Sequence, residues 1–272
     1  MSIAACDVLL RQRGGTVVGI AAGPDVGKTT LIATMYELLH RRRMSSFGFA
    51  GSETLRGYEE RCHLARLSSY ASRPDTRRTP VGVGLEFTHL RIATSGGMRD
   101  VLFADRSGEH FQAILSRPAE VKEFAELHRS DAIVLLVDLA RLVTDTHVTV
   151  SGVRRLFLAM DQGGVLEGKT VTLVGTKADV AMSSPRSTKA AREMTTLADE
   201  LDRRASGRFS IGRHIIACRA RSGSAVIGEG VEQLLAALLA GGPSRPRRVD
   251  DAWPPRPSEL DLLMRGYRGA RS

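Results

Sequence analysis

Short apolar runs alternate along this chain with longer stretches in which apolar residues recur at helical spacing. The runs are rich in β-branched residues and are bounded by glycine or polar positions, which is typical of buried strands. They are Thr16–Ala21, Asp100–Ala104, Ala132–Val137, Thr170–Val174 and His214–Cys218. The helical stretches are Thr30–His40, Ala119–Arg129, Asp145–Met160, Ser187–Ala205 and Val231–Ala240. Such an alternation predicts a mostly parallel sheet that is covered by helices on both faces.

One segment follows a different pattern and adds an antiparallel strand. Residues Leu85–Ile92 alternate apolar with polar side chains, which predicts a half-buried strand. A turn at Gly96 and Gly97 leads into the Asp100–Ala104 strand, so the two strands are expected to form a hairpin. The predicted fold class is therefore α/β: a three-layer α/β/α sandwich around a mostly parallel six-stranded sheet with one antiparallel strand.

Breaks in this pattern divide the chain into three parts. Residues 1–15 end at a double glycine and are predicted to be a short leader, and residues 16–240 are predicted to be one folded domain. Residues 47–84 interrupt that domain with a helix, which Ser52 would cap, and with a loop rich in arginine, proline, serine and threonine. Residues 241–272 are rich in proline and arginine, which predicts a flexible tail.

The composition is that of a globular protein without a membrane segment. Hydrophobic residues make up 42% of the 272 positions, which is enough for a sizeable core. No apolar run approaches the roughly 20 residues that a membrane helix needs, and the first ten residues lack the features of a signal peptide. The 3 cysteines are far apart and lack metal-binding spacing, which favours a reducing cytoplasm.

The formal net charge of +9 raises the question of an anionic partner. The charge is spread along the chain and carried mostly by arginine, and no aromatic residues are interleaved with a basic stripe. Because no nucleic-acid-binding module is recognisable either, no nucleic-acid partner is predicted.

Candidate chemistry begins between the first strand and the first helix, at Ala22-Gly-Pro-Asp-Val-Gly-Lys-Thr29. This spacing is typical of a phosphate-binding loop, in which glycines let the backbone curl so that N–H groups point at phosphate oxygens. Lys28 would reach the terminal phosphates and the Thr29 hydroxyl would ligate Mg²⁺, while the helix N-terminus adds attraction for anions. The predicted nucleotide-binding residues here are Gly23, Pro24, Asp25, Val26, Gly27, Lys28, Thr29 and Thr30.

A second motif, Asp105-Arg-Ser-Gly108, directly follows the Asp100–Ala104 strand. An aspartate at the end of a strand that faces a phosphate-binding loop can hold Mg²⁺ through water. The backbone N–H of Gly108 can reach a γ-phosphate. After a strand and downstream of a phosphate-binding loop, the motif predicts Asp105 as a metal residue.

A third motif, Thr176-Lys-Ala-Asp179, follows the Thr170–Val174 strand. The Asp179 carboxylate can accept hydrogen bonds from the N1–H and the exocyclic amine of guanine, which adenine cannot supply. Lys177 can lie over the base plane. The edge of a doubly wound sheet is also where a base would sit, so these residues predict a guanine site.

In these three motifs the chain resembles the Ras-like branch of the translation-factor-related P-loop GTPases, over residues 16–240. The segment Val174–Asp179 is similar to the guanine-specificity motif of Rho-type members, in which threonine replaces the commoner asparagine. More narrowly, Phe49–Leu55, Thr79-Pro80 and Ser107-Gly-Glu109 resemble bacterial operon-encoded GTPases of the predicted double-GTPase class, which is associated with conflict or defence systems. The resemblance implies a Ras-like strand order.

The resemblance also implies two residue roles that the motifs alone do not give. A switch threonine should reach Mg²⁺ and the γ-phosphate, and Thr79 is the first choice with Thr76 as the alternative. A Ser-Ala motif after the last strand should contact the base. Here Ala220 keeps the distance from the strand, whereas Ser224-Ala225 keeps the sequence pattern, so both remain open.

Two further residues bear on the rate of hydrolysis. Where many family members have a water-orienting glutamine, this chain has Glu109, which can accept a hydrogen bond from water but cannot donate one. This departure predicts slow unaided hydrolysis. Arg78, beside Thr79, and its neighbour Arg77 are candidates for an arginine that neutralises charge in the transition state, although solvated charge on a loop accounts for them as well.

The sequence as a whole predicts a cytoplasmic, Mg²⁺-dependent switch that binds GTP and GDP, hydrolyses GTP slowly and signals to a protein effector or regulator. Three alternatives stay open: a GTP-binding scaffold with little hydrolysis, a P-loop ATPase, and an adaptor whose tail, Arg245–Ser272, does the main work.

Overall fold

The computed structural model of the chain describes residues 1–55, 85–219 and 227–240. The strands in these ranges are β1 (Thr16–Ala21), β2 (Gly48–Gly51), β3 (Glu86–Thr94), β4 (Gly97–Asp105), β5 (Ala132–Asp138), β6 (Thr170–Thr176) and β7 (Ile211–Ile215). The α-helices are α1 (Ile3–Arg13), α2 (Lys28–His40), α3 (Gly108–Ile114), α4 (Ala125–Arg129), α5 (Leu139–Thr144), α6 (Thr146–Gln162), α7 (Ala178–Met182), α8 (Ser187–Ala205) and α9 (Val231–Ala240). A 3₁₀ helix spans Pro118–Glu123.

The strands form one 7-stranded sheet in the order β2-β3-β4-β1-β5-β6-β7. Strand β3 runs antiparallel to both of its neighbours, and the remaining pairs are parallel. The predicted α/β class with one antiparallel strand is confirmed. The predicted number of six strands is wrong, because the short strand β2 adds an edge position. Its 4 residues are too few to show a strand periodicity in the sequence.

The core lies on both faces of this sheet, as the apolar strands require. In β5, whose 7 residues are all buried, alternate side chains enter opposite layers. Ile133, Leu135 and Val137 belong to a cluster that also contains residues of α6 and α8, whereas Val134 and Leu136 belong to a cluster with residues of α2 and α9. The three-layer arrangement follows from this division.

The first 15 residues, predicted to be a short leader, contain a helix. Residues Ile3–Arg13 form helix α1, which buries Cys6 and Leu9 in a third cluster with Val17 of β1 and Phe87 of β3. Burial raises the pKa of the Cys6 thiol to about 11, so this cysteine is an unreactive core residue.

Two other predicted elements differ from those observed, and one short helix was not predicted. The helix predicted over Ala119–Arg129 is broken at Phe124, whose ψ of 79° is not helical. Helix α5, which precedes α6, is absent from the prediction. The last strand ends at Ile215 rather than at Cys218. Beyond it, Ala217 does not pair with β6 but with Glu229, which precedes α9.

Side chains from the segment after β2 hold the outer edge of β3 at His89. The backbone N–H of His89 donates to Thr54 Oγ1 at 2.9 Å, and its carbonyl accepts from Ser52 Oγ at 2.6 Å. The buried imidazole accepts from the N–H of Glu53 through Nδ1 and faces Asp100 through Nε2 at 2.8 Å. Burial lowers the pKa of His89, so the ring is neutral when folded and can serve as this acceptor.

The first described range ends at Leu55, just after the residues that contact His89. The remainder of the helix predicted after Ser52, and the loop up to residue 84, lie outside the described residues. Among the helices of the described ranges, none has the length and apolar character needed to cross a membrane.

Candidate functional site

The loop between β1 and α2 has the backbone of an anion-binding turn. Asp25 has φ 59° and Gly27 has φ 106°, so two residues in three adopt left-handed conformations. Glycine reaches that region without a steric cost, and aspartate tolerates it better than most residues. The sequence predicts that Gly23 and Gly27 let the backbone curl, but the residues of this loop with positive φ are Asp25 and Gly27.

Gly108 closely approaches this loop and is the glycine that the contact requires, since a Cβ added to Gly23 would meet only Val26 Cγ2, at 3.9 Å. A Cβ added to Gly108 would lie 2.6 Å from the carbonyl carbon of Gly23 and 2.6 Å from the nitrogen of Pro24. No side chain fits there, so only glycine lets the segment after β4 touch the phosphate-binding loop. This contact brings the first two motifs together.

Lys28 is the first residue of α2 and is buried. Its Nζ lies 3.0 Å from Oδ1 of Asp105, at the end of β4, but it makes no hydrogen bond of good geometry to a described residue. An ammonium group has three donors. A buried ammonium with donors to spare, at the end of a loop with two left-handed residues, fits a chain of phosphate oxygens.

The residues proposed for Mg²⁺ fit the ion as well. Thr29 follows Lys28 in the first turn of α2, and the buried Asp105 lies with its Oδ1 3.0 Å from the Lys28 ammonium. Mg²⁺ is usually held by one or two protein oxygens together with substrate phosphates rather than by a complete protein cage. No group of three or more histidine, cysteine, aspartate or glutamate side chains that could hold a metal ion occurs in the described ranges.

Glu109 lies in the first turn of α3, and its carboxylate accepts a hydrogen bond from the Ser107 hydroxyl. Ser107 is the residue immediately before α3 and is buried. The hydroxyl therefore occupies part of the accepting capacity that Glu109 would need to orient a water molecule.

Thr176 connects the phosphate-binding loop to the third motif. Its Oγ1 is 2.6 Å from the carbonyl oxygen of Val26 and 3.2 Å from that of Val137. The side chain also packs against Gly27, whose added Cβ would lie 3.7 Å from the Thr176 Cβ. The end of β6 is thus tied to the loop after β1, and the two motifs lie side by side.

Lys177 and Asp138 form an ion pair that the sequence analysis missed. Lys177 has φ 56°, and its Nζ donates to Oδ2 of Asp138 at 2.6 Å. The other carboxylate oxygen of the buried Asp138 accepts from the N–H groups of Ala140 and Arg141, which caps α5. One carboxylate therefore fixes both the start of α5 and the lysine. The available signal was a charged residue that ends the apolar run Ala132–Val137.

Asp179 is buried in the first turn of α7. The start of this helix is held by a hydrogen bond from Ala178 N to Ile216 O. Nearby, burial of the sulfur raises the pKa of Cys218 to about 12, although part of the residue reaches the surface. This thiol is therefore a poor nucleophile, and its role beside Asp179 is to pack.

The structure thus brings several predicted site residues together at the carboxyl ends of β1, β4 and β6. They are the loop residues 23–30, Asp105, Gly108, Glu109, Thr176, Lys177 and Asp179. Thr76, Arg77, Arg78, Thr79, Ala220, Ser224 and Ala225 lie outside the described residues, so their roles stay predictions.

Comparison with known protein families identifies a family that covers most of the chain. A family model described as Double-GTPase 2 matches residues 16–239, from the first residue of β1 to the penultimate residue of α9. No curated protein matches the chain.

Proposed function

The chain belongs to the Double-GTPase 2 family of P-loop GTPases, and on that premise we propose a Mg²⁺-dependent GTP switch that hydrolyses slowly and signals to a protein partner. One observation carries the proposal. The Gly108–Gly23 contact and the Thr176–Val26 hydrogen bond bring together the three motifs that would hold the phosphates, ligate Mg²⁺ and read guanine. We further propose that the protein acts in the bacterial cytoplasm, in a conflict or defence system.

The phosphate end of this site would work by positioning and charge neutralisation. The backbone N–H groups of residues 23–28 and the Lys28 ammonium would hold the phosphate oxygens in place. Thr29 and Asp105 would hold Mg²⁺, which when bound offsets negative charge on the β- and γ-phosphate oxygens. The Gly108 N–H would contact the γ-phosphate. With little covalent chemistry left to the protein, these contacts would set the rate.

The base end would select guanine through Asp179, whose carboxylate accepts from two donors on the guanine edge. Lys177, held by Asp138, would lie over the base plane. Because Thr176 joins the two ends through Val26, the base and the phosphates would be read by one connected frame.

Switching would follow from the contacts that only GTP can make. Gly108 and the predicted threonine, Thr79, would meet the γ-phosphate and would lose that partner on hydrolysis. A partner that recognises the segments carrying these residues would then distinguish the GTP-bound form from the GDP-bound form.

A comparison of nucleotide affinities tests this proposal. We expect the dissociation constant for GTP in Mg²⁺ to be at least about 100-fold lower than that for ATP, since an unmatched buried carboxylate penalises the wrong base. Isothermal titration with both nucleotides, together with phosphate release from GTP, measures this. Equal affinity for ATP and GTP would reject the guanine assignment and favour the ATPase alternative.

Glu109→Ala is expected to change the single-turnover rate of GTP hydrolysis by less than about threefold. The carboxylate is engaged by Ser107 and cannot donate to water, so its loss removes no group needed to position the nucleophile. Single-turnover phosphate release, with Glu123→Ala as an exposed control, measures the effect. A drop of tenfold or more would make Glu109 catalytic.

The Ser107–Glu109 contact also favours a second candidate function, a GTP-binding scaffold with almost no turnover. The two functions separate in the same experiment. A scaffold would retain GTP unhydrolysed in both the unmodified protein and Glu109→Ala.

A further inference from the structure

Arg106 lies in the chain between Asp105, the predicted metal residue, and Ser107, and its side chain is held by Glu126 and Phe124 in what is here called the clamp. Its Nε and terminal nitrogen donate to the two carboxylate oxygens of Glu126, the second contact measuring 3.0 Å. The guanidinium carbon also lies 4.1 Å from the ring centre of Phe124. A bidentate pair stacked on an aromatic ring fixes the guanidinium plane in both position and orientation.

Glu126 is the fixed end of this clamp. It is 1% exposed, on helix α4, and its own carbonyl accepts from Ser130 Oγ at 2.6 Å. The other end of α4 is held by Lys169, whose Nζ donates to the carbonyls of Leu127, His128 and Ser130 at 2.7, 2.7 and 2.8 Å. Four hydrogen bonds from two donor side chains thus hold one short helix, so Glu126 is unable to follow a movement of the 105–108 loop without breaking several of them.

Helix α4 is in turn seated on the central strand. A Cβ added to Gly19 of β1 would lie 2.7 Å from Ser130 Oγ and 2.9 Å from Leu127 Cδ2, so the absence of a side chain lets α4 approach β1. Asp131, just after the helix, binds Val17 at both backbone groups, through Val17 N to Oδ2 and Asp131 N to Val17 O, each at 2.8 Å.

We propose that Arg106 and Glu126 are positioning residues that hold Asp105 and Gly108 in place for the Mg²⁺ and γ-phosphate end of the nucleotide site. This inference rests on the proposed function. Asp105 ends β4 and Gly108 touches the phosphate-binding loop, and Arg106 lies between them in the chain, anchored to the body of the sheet. The clamp shortens the segment that can move, so that Asp105 stays beside Lys28 while the chain beyond Gly108 responds to nucleotide.

The cost of breaking the Arg106–Glu126 ion pair favours a clamp that remains intact. Glu126 is a carboxylate out of contact with water, and leaving such a charge unpaired is strongly unfavourable. Breaking the pair would also give up the stacking of Arg106 on Phe124. Within the 105–108 loop, the end that carries Arg106 is therefore less mobile than the end at Gly108.

The test replaces both partners at once, because a single replacement would strand a buried charge. The variant Arg106→Met/Glu126→Gln removes the ion pair at similar volume. We expect the Mg²⁺ concentration that half-maximally slows release of a non-hydrolysable GTP analogue to rise about tenfold, which corresponds to a modest loss of positioning. The affinity for GDP in EDTA should stay within about threefold, since neither Mg²⁺ nor the γ-phosphate is then read.

The matched control is Arg154→Met/Glu200→Gln, which removes an ion pair between α6 and α8. It should leave the Mg²⁺ dependence unchanged. Should the first double variant not fold, Arg106→Lys is measured in the same way, because it keeps the charge and loses the bidentate fork.

The outcomes separate the inference from the function on which it rests. An unchanged Mg²⁺ dependence, or an equal loss of GDP affinity in EDTA, overturns the positioning role while leaving the GTPase assignment intact. Failure of the unmodified protein to bind GTP overturns the proposed function and the inference with it.

Discussion

Lys28→Ala is expected to lower the affinity for GTP by about 100-fold or more, the largest effect of any single replacement in the site. Lys28 Nζ is the one ammonium group that lies beside both the phosphate-binding loop and Asp105 in the described part of the chain. Charge-assisted hydrogen bonds are worth about 1.5–3 kcal/mol each, and 100-fold corresponds to about 2.7 kcal/mol. Fluorescence titration with a labelled GTP analogue measures the loss.

Two controls accompany this experiment. Lys122→Ala removes an exposed lysine and should leave GTP affinity unchanged. Thermal unfolding without nucleotide shows whether Lys28→Ala is still folded, since Asp105 loses its 3.0 Å contact. A folded Lys28→Ala protein that binds GTP as well as the unmodified chain would show that the loop does not grip a triphosphate.

Asp179→Asn is expected to weaken GTP binding by about 100-fold and to shift the preference to xanthosine triphosphate. A carboxylate offers only acceptors to the guanine edge, whereas the asparagine amide presents an NH₂ group to one of the guanine donors. Xanthine carries a carbonyl where guanine carries its amine, so the amide regains a partner. Competition of GTP and xanthosine triphosphate against a labelled nucleotide gives both affinities.

The change in preference from GTP to xanthosine triphosphate is the result that identifies Asp179 as the residue that reads the base. Asp199→Asn, at an exposed position of α8, is the matched control and should change neither affinity. If Asp179→Asn lost affinity for both nucleotides by the same factor, Asp179 would support the fold of α7 rather than read the base.

Much of the sheet could be predicted from local pattern alone. The predicted bounds of β1, α8 and α9 agree with the structure because each has a strong period or apolar run that needs no distant partner. Helix α1 and strand β2 were not predicted as such. The first has a weak apolar face that becomes visible only against Phe87, and the second is defined by its pairing with β3.

The candidate site shows the same division between local motifs and distant contacts. The motifs marked Lys28, Asp105 and Asp179 by spacing, and the family match agrees with the class of protein that they indicated. The contacts that join the motifs depend on pairs far apart in sequence, such as Thr176 with Val26 and Arg106 with Glu126. No local sequence pattern predicts such a pair, because each of these residues is also common at positions where it makes no such contact.

Three different segments of the chain hydrogen-bond to the outer edge of β3 along most of its length. Phe87 exchanges backbone hydrogen bonds with Met1, His89 is met by the Ser52 and Thr54 hydroxyls, and residues 91–93 pair with β2. A foreign strand seeking to extend the sheet at this edge would have to displace the chain's own segments first. This edge of β3 is therefore protected against pairing with a foreign strand, and a shift of residues 52–54 would expose the backbone N–H and carbonyl groups of His89.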